Sequence, residues 1–281
     1  MFAASAFLYY FLSGGTRLCI SFLLLLPTSL VWTSIVGKEA LFFGCLCWVV
    51  VLWSQLIRRR LSVWQIVLVV SALGICLVLR PHYAIAAGWL LVSAATISLF
   101  PRSARWILPA AFVVLIGLIF TFAWQELLVP GYGASAPDAH ASRHAIFGIV
   151  FNSIETKALF ECLVPLYAIF GIIGPFPQEL LRRPEFIPFF LEGLAILVFP
   201  AIIFACARKR GLLDDQSFLV HALFGVAPAL LLLVITHAPF GFLNPGSAIR
   251  WRANFEPIFY LAPLLLLFNA IDAHKNRPLP S

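Results

Sequence analysis

The chain has 281 residues, 62% of them apolar, 15% aromatic and only 11% charged, with a mean hydropathy of +0.99. Soluble domains carry about 25% charged residues, so a water-facing surface of this size is excluded and lipid must solvate most of the chain. The net charge of +7 then speaks of topology rather than of nucleic-acid binding, which has no other support.

Crossing a hydrocarbon core of about 30 Å takes roughly 17–25 helical residues. A short apolar run, 2–12, comes first and is cut by Ser13-Gly14-Gly15-Thr16-Arg17; with no basic residue ahead of it, it does not read as a secretory signal. Longer runs follow at 18–36, 40–57, 61–79, 83–100, 106–124, 157–174, 189–207, 218–236 and 255–271. The expected fold is all-α, a polytopic membrane protein forming a single transmembrane domain over 1–281.

Basic clusters beside the runs set the orientation. Arg58-Arg59-Arg60, Arg102 with Arg105, and Arg208-Lys209-Arg210 should all be cytoplasmic, because short loops rich in Lys and Arg stay inside. Three runs separate the second cluster from the third, so one does not cross. The run 157–174 carries Lys157, Glu161 and Pro165 and ends in Gly174-Pro175-Phe176-Pro177; it suits a re-entrant or interfacial helix. The alternative makes Arg182-Arg183 the cytoplasmic cluster instead. The first choice predicts about nine crossings. It places Lys38-Glu39, Arg80, the largest loop (125–156), the interfacial segment 175–188 and the segment 237–256 outside, with a short polar cytoplasmic tail at 272–281.

The chemistry-bearing residues therefore gather on one face. Pro27-Thr28-Ser29 with Trp32-Thr33-Ser34 and Lys38-Glu39 reads as a proline-kinked helix with an interfacial ion pair, or as the polar mouth of a cavity. Arg80, in Leu79-Arg80-Pro81-His82-Tyr83, is structural by default, yet an arginine outside opposes the topological bias and fits an anionic head group. In the loop, Asp138, His140 and His144 lack the pre-organisation of a metal site, so no metal or other cofactor is expected; Asp138 stands as the exposed candidate general base. The six cysteines lie nearly all in apolar runs and behave as small hydrophobes. Glu192 and His221 fall within spans and need partners there. Finally, Arg250-Trp251-Arg252 offers two guanidinium forks and an indole for a phosphate-bearing lipid, with Glu256 as the alternative intramolecular partner.

Taken together, Pro27 to Ser34 with Lys38-Glu39, Leu79-Arg80-Pro81, Val164-Pro165 with Gly174-Pro175-Phe176-Pro177, Glu192, and Asn244-x-Gly246 with Arg250-Trp251-Arg252 resemble bacterial inner-membrane proteins of polysaccharide assembly. These are the multi-span lipid-linked-sugar glycosyltransferases and O-antigen-polymerase-like proteins. The resemblance implies transfer or polymerisation of a glycan carried on an undecaprenyl-phosphate-type lipid at the periplasmic face. Arg80, Arg250 and Arg252, with Lys38 and Trp251, would bind phosphate and glycan, and a carboxylate, Asp138 or Glu39, would activate the acceptor hydroxyl. The glycosyltransferases carry their catalytic acid in a first periplasmic loop that has no counterpart in this sequence, which fits an N-terminally shortened relative. Two further readings are a non-catalytic subunit working with other polysaccharide-assembly subunits, and a transporter or flippase-like component.

Overall fold

The computed structural model describes residues 21, 23, 25–34, 37–58, 62–100, 105–119, 172–174, 180–181, 183–243 and 252–275, and these contain helices and turns with no strand. The first apolar run, the segment 125–156 expected to be the largest loop, and residues 157–171 of the run expected not to cross lie outside them. The helices are α1 (Pro27–Ser34), α2 (Lys38–Ile57), α3 (Val63–Leu79), α4 (Pro81–Leu99), α5 (Ile107–Leu118), α6 (Ile187–Lys209), α7 (Gln216–His221), α8 (Ala227–Leu243) and α9 (Ala262–Lys275). π-helical turns, Ala222–Val226 and Pro257–Leu261, lead into α8 and α9. Among the described residues five segments are long and apolar enough to cross a membrane: Lys38–Ile57, Pro81–Leu99, Pro184–Lys209, Gln216–His237 and Pro257–His274.

Local sequence explains the boundaries. Ser62 and Gln65 close a reciprocal capping box at the start of α3. Pro81 opens α4 at a position where its missing N–H costs nothing. The Asp215 carboxylate accepts from the Ser217 N–H and starts α7. Pro27 begins a helix after a turn at Leu25-Leu26 rather than kinking the middle of one. α9 continues as helix through Asp272 to Lys275.

The chain divides into two compact units. The first comprises 1–108, 198–233 and 253–281. Here α2 is the central helix, packed by α1, α3, α4, α9 and the turn Pro257–Leu261. Its apolar residues are buried nearly all round, including Phe42, Phe43, Leu46, Val49, Val50 and Trp53. By contrast α3 turns Val63, Trp64, Val70 and Val78 outward, Val78 being 84% exposed, an apolar face consistent with contact with lipid. α4 buries a stripe at helical spacing (Tyr83, Ala87, Leu90, Ala94, Ile97) whose alanines permit close approach.

Polar contacts mark the two ends of this unit. At one end Arg58 donates to Asn269 Oδ1 at 2.6 Å and pairs with Asp272 at 2.9 Å, while Asn269 donates to the Ser54 carbonyl and hydroxyl, each at 3.2 Å. The antiparallel course of α2, α3 and α4 brings Arg105 to the same end. Arg105 lines a cavity with Gln216, which follows Arg208-Lys209-Arg210 by a short 3-10 turn, Leu212–Asp214. The opposite end carries Glu39 and Arg80.

The second unit comprises 109–197 and 234–252. Its described part centres on the start of α6, where Arg252 links the Ile172 and Gly174 carbonyls to Glu192 and the Ile172 and Ile173 carbonyls lie against Gly193.

Candidate functional site

In the first unit, α2 begins where α3 ends, so the α2–α3 hairpin sets Glu39 against Arg80. Arg80 Nη2 donates to Glu39 Oε1 at 3.1 Å, with both side chains only 9% exposed. Each charge also suits its helix end, Glu39 in the first turn of α2 and Arg80 as the cap of α3. Lys38, the preceding residue, is exposed.

Tyr83 continues the site inward. Its fully buried ring lies 4.3 Å from the His82 ring, 6.4 Å from Phe42 and 6.3 Å from Phe255. Phe255 belongs to the turn 253–255 that interrupts the helix ahead of Pro257. In that segment Glu256 accepts a short hydrogen bond from the Ser29 hydroxyl of α1, both residues being fully buried. Asn254 is also fully buried, and neither its amide nitrogen nor its carbonyl oxygen has a hydrogen-bond partner. A buried amide without partners costs about 1–3 kcal/mol.

The second unit holds a separate ion pair. Arg252 Nη2 meets Glu192 Oε2 at 3.1 Å and the Phe189 carbonyl at 2.7 Å. Its Nη1 donates to the carbonyls of Ile172, Ile173 and Gly174 at 3.0, 3.4 and 3.4 Å. The guanidinium is 0% exposed and is surrounded by protein acceptors. Gly193 makes room for it, since a Cβ there would stand 2.7 Å from Arg252 Nη1 and from the Ile172 carbonyl.

Among the residues singled out from sequence, Glu39 and Arg80 come together beside Lys38, while Arg252 takes Glu192 as its ion partner and Glu256 takes Ser29. Asp138, Arg250 and Trp251 lie outside the described residues. Asn254 and Gly193 were passed over in the sequence, although an asparagine in an aromatic stretch and a glycine beside an intramembrane glutamate are the signals that could have found them. Among the described residues no three His, Cys, Asp or Glu side chains converge as a metal set would. No protein-family model, curated protein or solved structure matches this chain.

Proposed function

We propose that this is a multi-pass protein of the bacterial inner membrane that handles a polyprenyl-phosphate-linked glycan at the periplasmic face, in sugar transfer or polymerisation. About nine crossings, a non-crossing helix over 157–174 and cytoplasmic basic clusters belong to this reading. The resemblance of the motifs names the substrate class, and one observation carries the site: Arg80 and Glu39 are buried as a pair at the end of the first unit opposite Arg58 and Arg105. There an arginine opposes the topological bias and is held by Glu39, an anion that a phosphate can replace.

The pair gives a simple mechanism of partner exchange. The phosphate of the lipid carrier, met first by exposed Lys38, displaces Glu39 from the Arg80 fork, which takes the phosphate bidentately. Glu39, released beside the bound carrier, accepts the proton of the acceptor hydroxyl as the glycosidic bond forms and the phosphate-bearing carrier leaves. Asp138 is the alternative base.

Proteoliposomes given radiolabelled polyprenyl-diphosphate glycan and an acceptor test this directly. Arg80→Ala should lower transfer about a hundredfold, the loss of a charged contact worth about 2.7 kcal/mol, and Glu39→Gln should lower kcat while leaving carrier binding intact. Wild-type rates in Arg80→Ala would overturn the reading. The two helix interruptions joined by Ser29 and Glu256 favour a second reading, a transporter, because discontinuous helices build transport sites. Movement of the labelled lipid across vesicles without an acceptor would select it.

A further inference from the structure

The cavity at the basic end of the first unit belongs to none of this. It has a volume of about 260 Å³ and is lined by Arg105, Trp106, Gln216, Leu219, Val220 and Phe224. Since a water takes about 30 Å³, the space suits a head group and the first part of a chain rather than isolated waters. Its lining combines a cation and an amide with aliphatic and aromatic carbon.

Arg105 is under-used. Its Nη2 makes one long bond, 3.4 Å, to the Ile97 carbonyl. Its Nε lies closed from solvent with no hydrogen-bond partner. Among the described residues no carboxylate pairs with it; the nearby Asp215 side chain is turned into the cap of α7. The guanidinium thus keeps donors for an acceptor that brings its own negative charge.

The surroundings identify the carrier of that charge. Trp106 is 74% exposed and Trp64, at the same end, 78%; exposed tryptophans at helix ends sit at the lipid head-group level. Arg208, Lys209 and Arg210, all exposed, lie just ahead of Gln216 and add attraction for an anionic surface. A free anion would leave the apolar walls formed by Leu219, Val220 and Phe224 unmatched.

We infer that this cavity binds one anionic phospholipid, its phosphate on Arg105 and Gln216 and the start of an acyl chain against Leu219, Val220, Phe224 and Trp106. The site is independent of the ligand proposed for the opposite end. Nanodiscs containing dibrominated phosphatidylglycerol or dibrominated phosphatidylcholine test it, with quenching of Trp106 taken as the difference between wild type and Trp106→Phe. Phosphatidylglycerol should be preferred about fivefold, the factor expected for one basic contact near a lipid surface. Arg105→Gln should abolish the preference, whereas Lys209→Gln should keep it. Leu219→Trp, which fills the cavity with Arg105 intact, should abolish it too and guards against misfolding of the first variant. Equal quenching by both lipids, or a preference that survives both Arg105→Gln and Leu219→Trp, overturns the inference. So does loss of the preference on adding excess inorganic phosphate to the wild type at constant ionic strength, which would make the ligand free phosphate.

Discussion

Arg252 illustrates how burial redefines a residue that sequence alone presents as a ligand fork. Charged groups in a membrane protein face a partner or water, and Arg252 has found a carboxylate and four backbone carbonyls. Replacing it by alanine should cost about 3–5 kcal/mol, because Glu192 is then a buried charge without its guanidinium. The double change Arg252→Met with Glu192→Leu should recover much of that loss, since removing both charges removes the desolvation problem. Thermal unfolding in detergent reads both; an Arg252→Ala protein as stable as the parent would refute the structural role. Gly193→Ala should cost about 1–3 kcal/mol by forcing the Ile172 and Ile173 carbonyls away. Arg252 and Glu192 each stood out in the sequence, but not their pairing across 60 residues, because nothing local records which helix end meets which loop.

At the scale of elements, the apolar runs read from sequence reappear as helices wherever they are described. Composition and length alone dictate that outcome when every unpaired backbone group would face hydrocarbon. Interruptions inside the runs were harder to foresee. Pro228 has no N–H to offer the carbonyl of Phe224 four residues earlier, and the helix widens to a π turn over Ala222–Val226. The indole Nε1–H of Trp89 donates to that carbonyl at 2.9 Å. Gly225 brings the two helices close, a Cβ there standing 3.2 Å from Ser93 Oγ. The second π turn, Pro257–Leu261, likewise precedes an Ala-Pro step, Ala262-Pro263. Trp89→Phe should therefore destabilise by about 1 kcal/mol. In a Pro228→Ala background, where a backbone N–H returns, it should cost clearly less; equal costs in the two backgrounds would show that indole and proline are uncoupled. The prolines were visible in the sequence, but the tryptophan that answers one of them sits 135 residues away.

For the molecule as a whole, orientation is the property most readable from charge. Arg58 and Arg105 lie at one end of the first unit and Glu39 with Arg80 at the other; that the basic clusters, Arg208-Lys209-Arg210 among them, are cytoplasmic is an expectation to be tested by labelling. Single cysteines at positions 38 and 209 in a cysteine-free background should label from opposite faces of intact cells, position 38 from outside. Labelling of both from one face would contradict this topology. The candidate site was half visible: Lys38, Glu39 and Arg80 are charges in apolar surroundings, whereas Asn254 gains meaning only from being enclosed without partners.

The contacts of the first unit also impose an order on its making. Glu39 and Arg80 are separated by 41 residues and lie on neighbouring helices of one hairpin, so they can meet while the ribosome is still at work. Ser29 waits 227 residues for Glu256, and Arg58 waits 214 for Asp272. Until α9 is made, the Arg58 guanidinium at the foot of α2 is without Asn269 and Asp272 and must be met by water at the interface. The arrival of α9 then exchanges that water for protein contacts, so the foot of α2 is locked later than the Glu39–Arg80 end of the same helix.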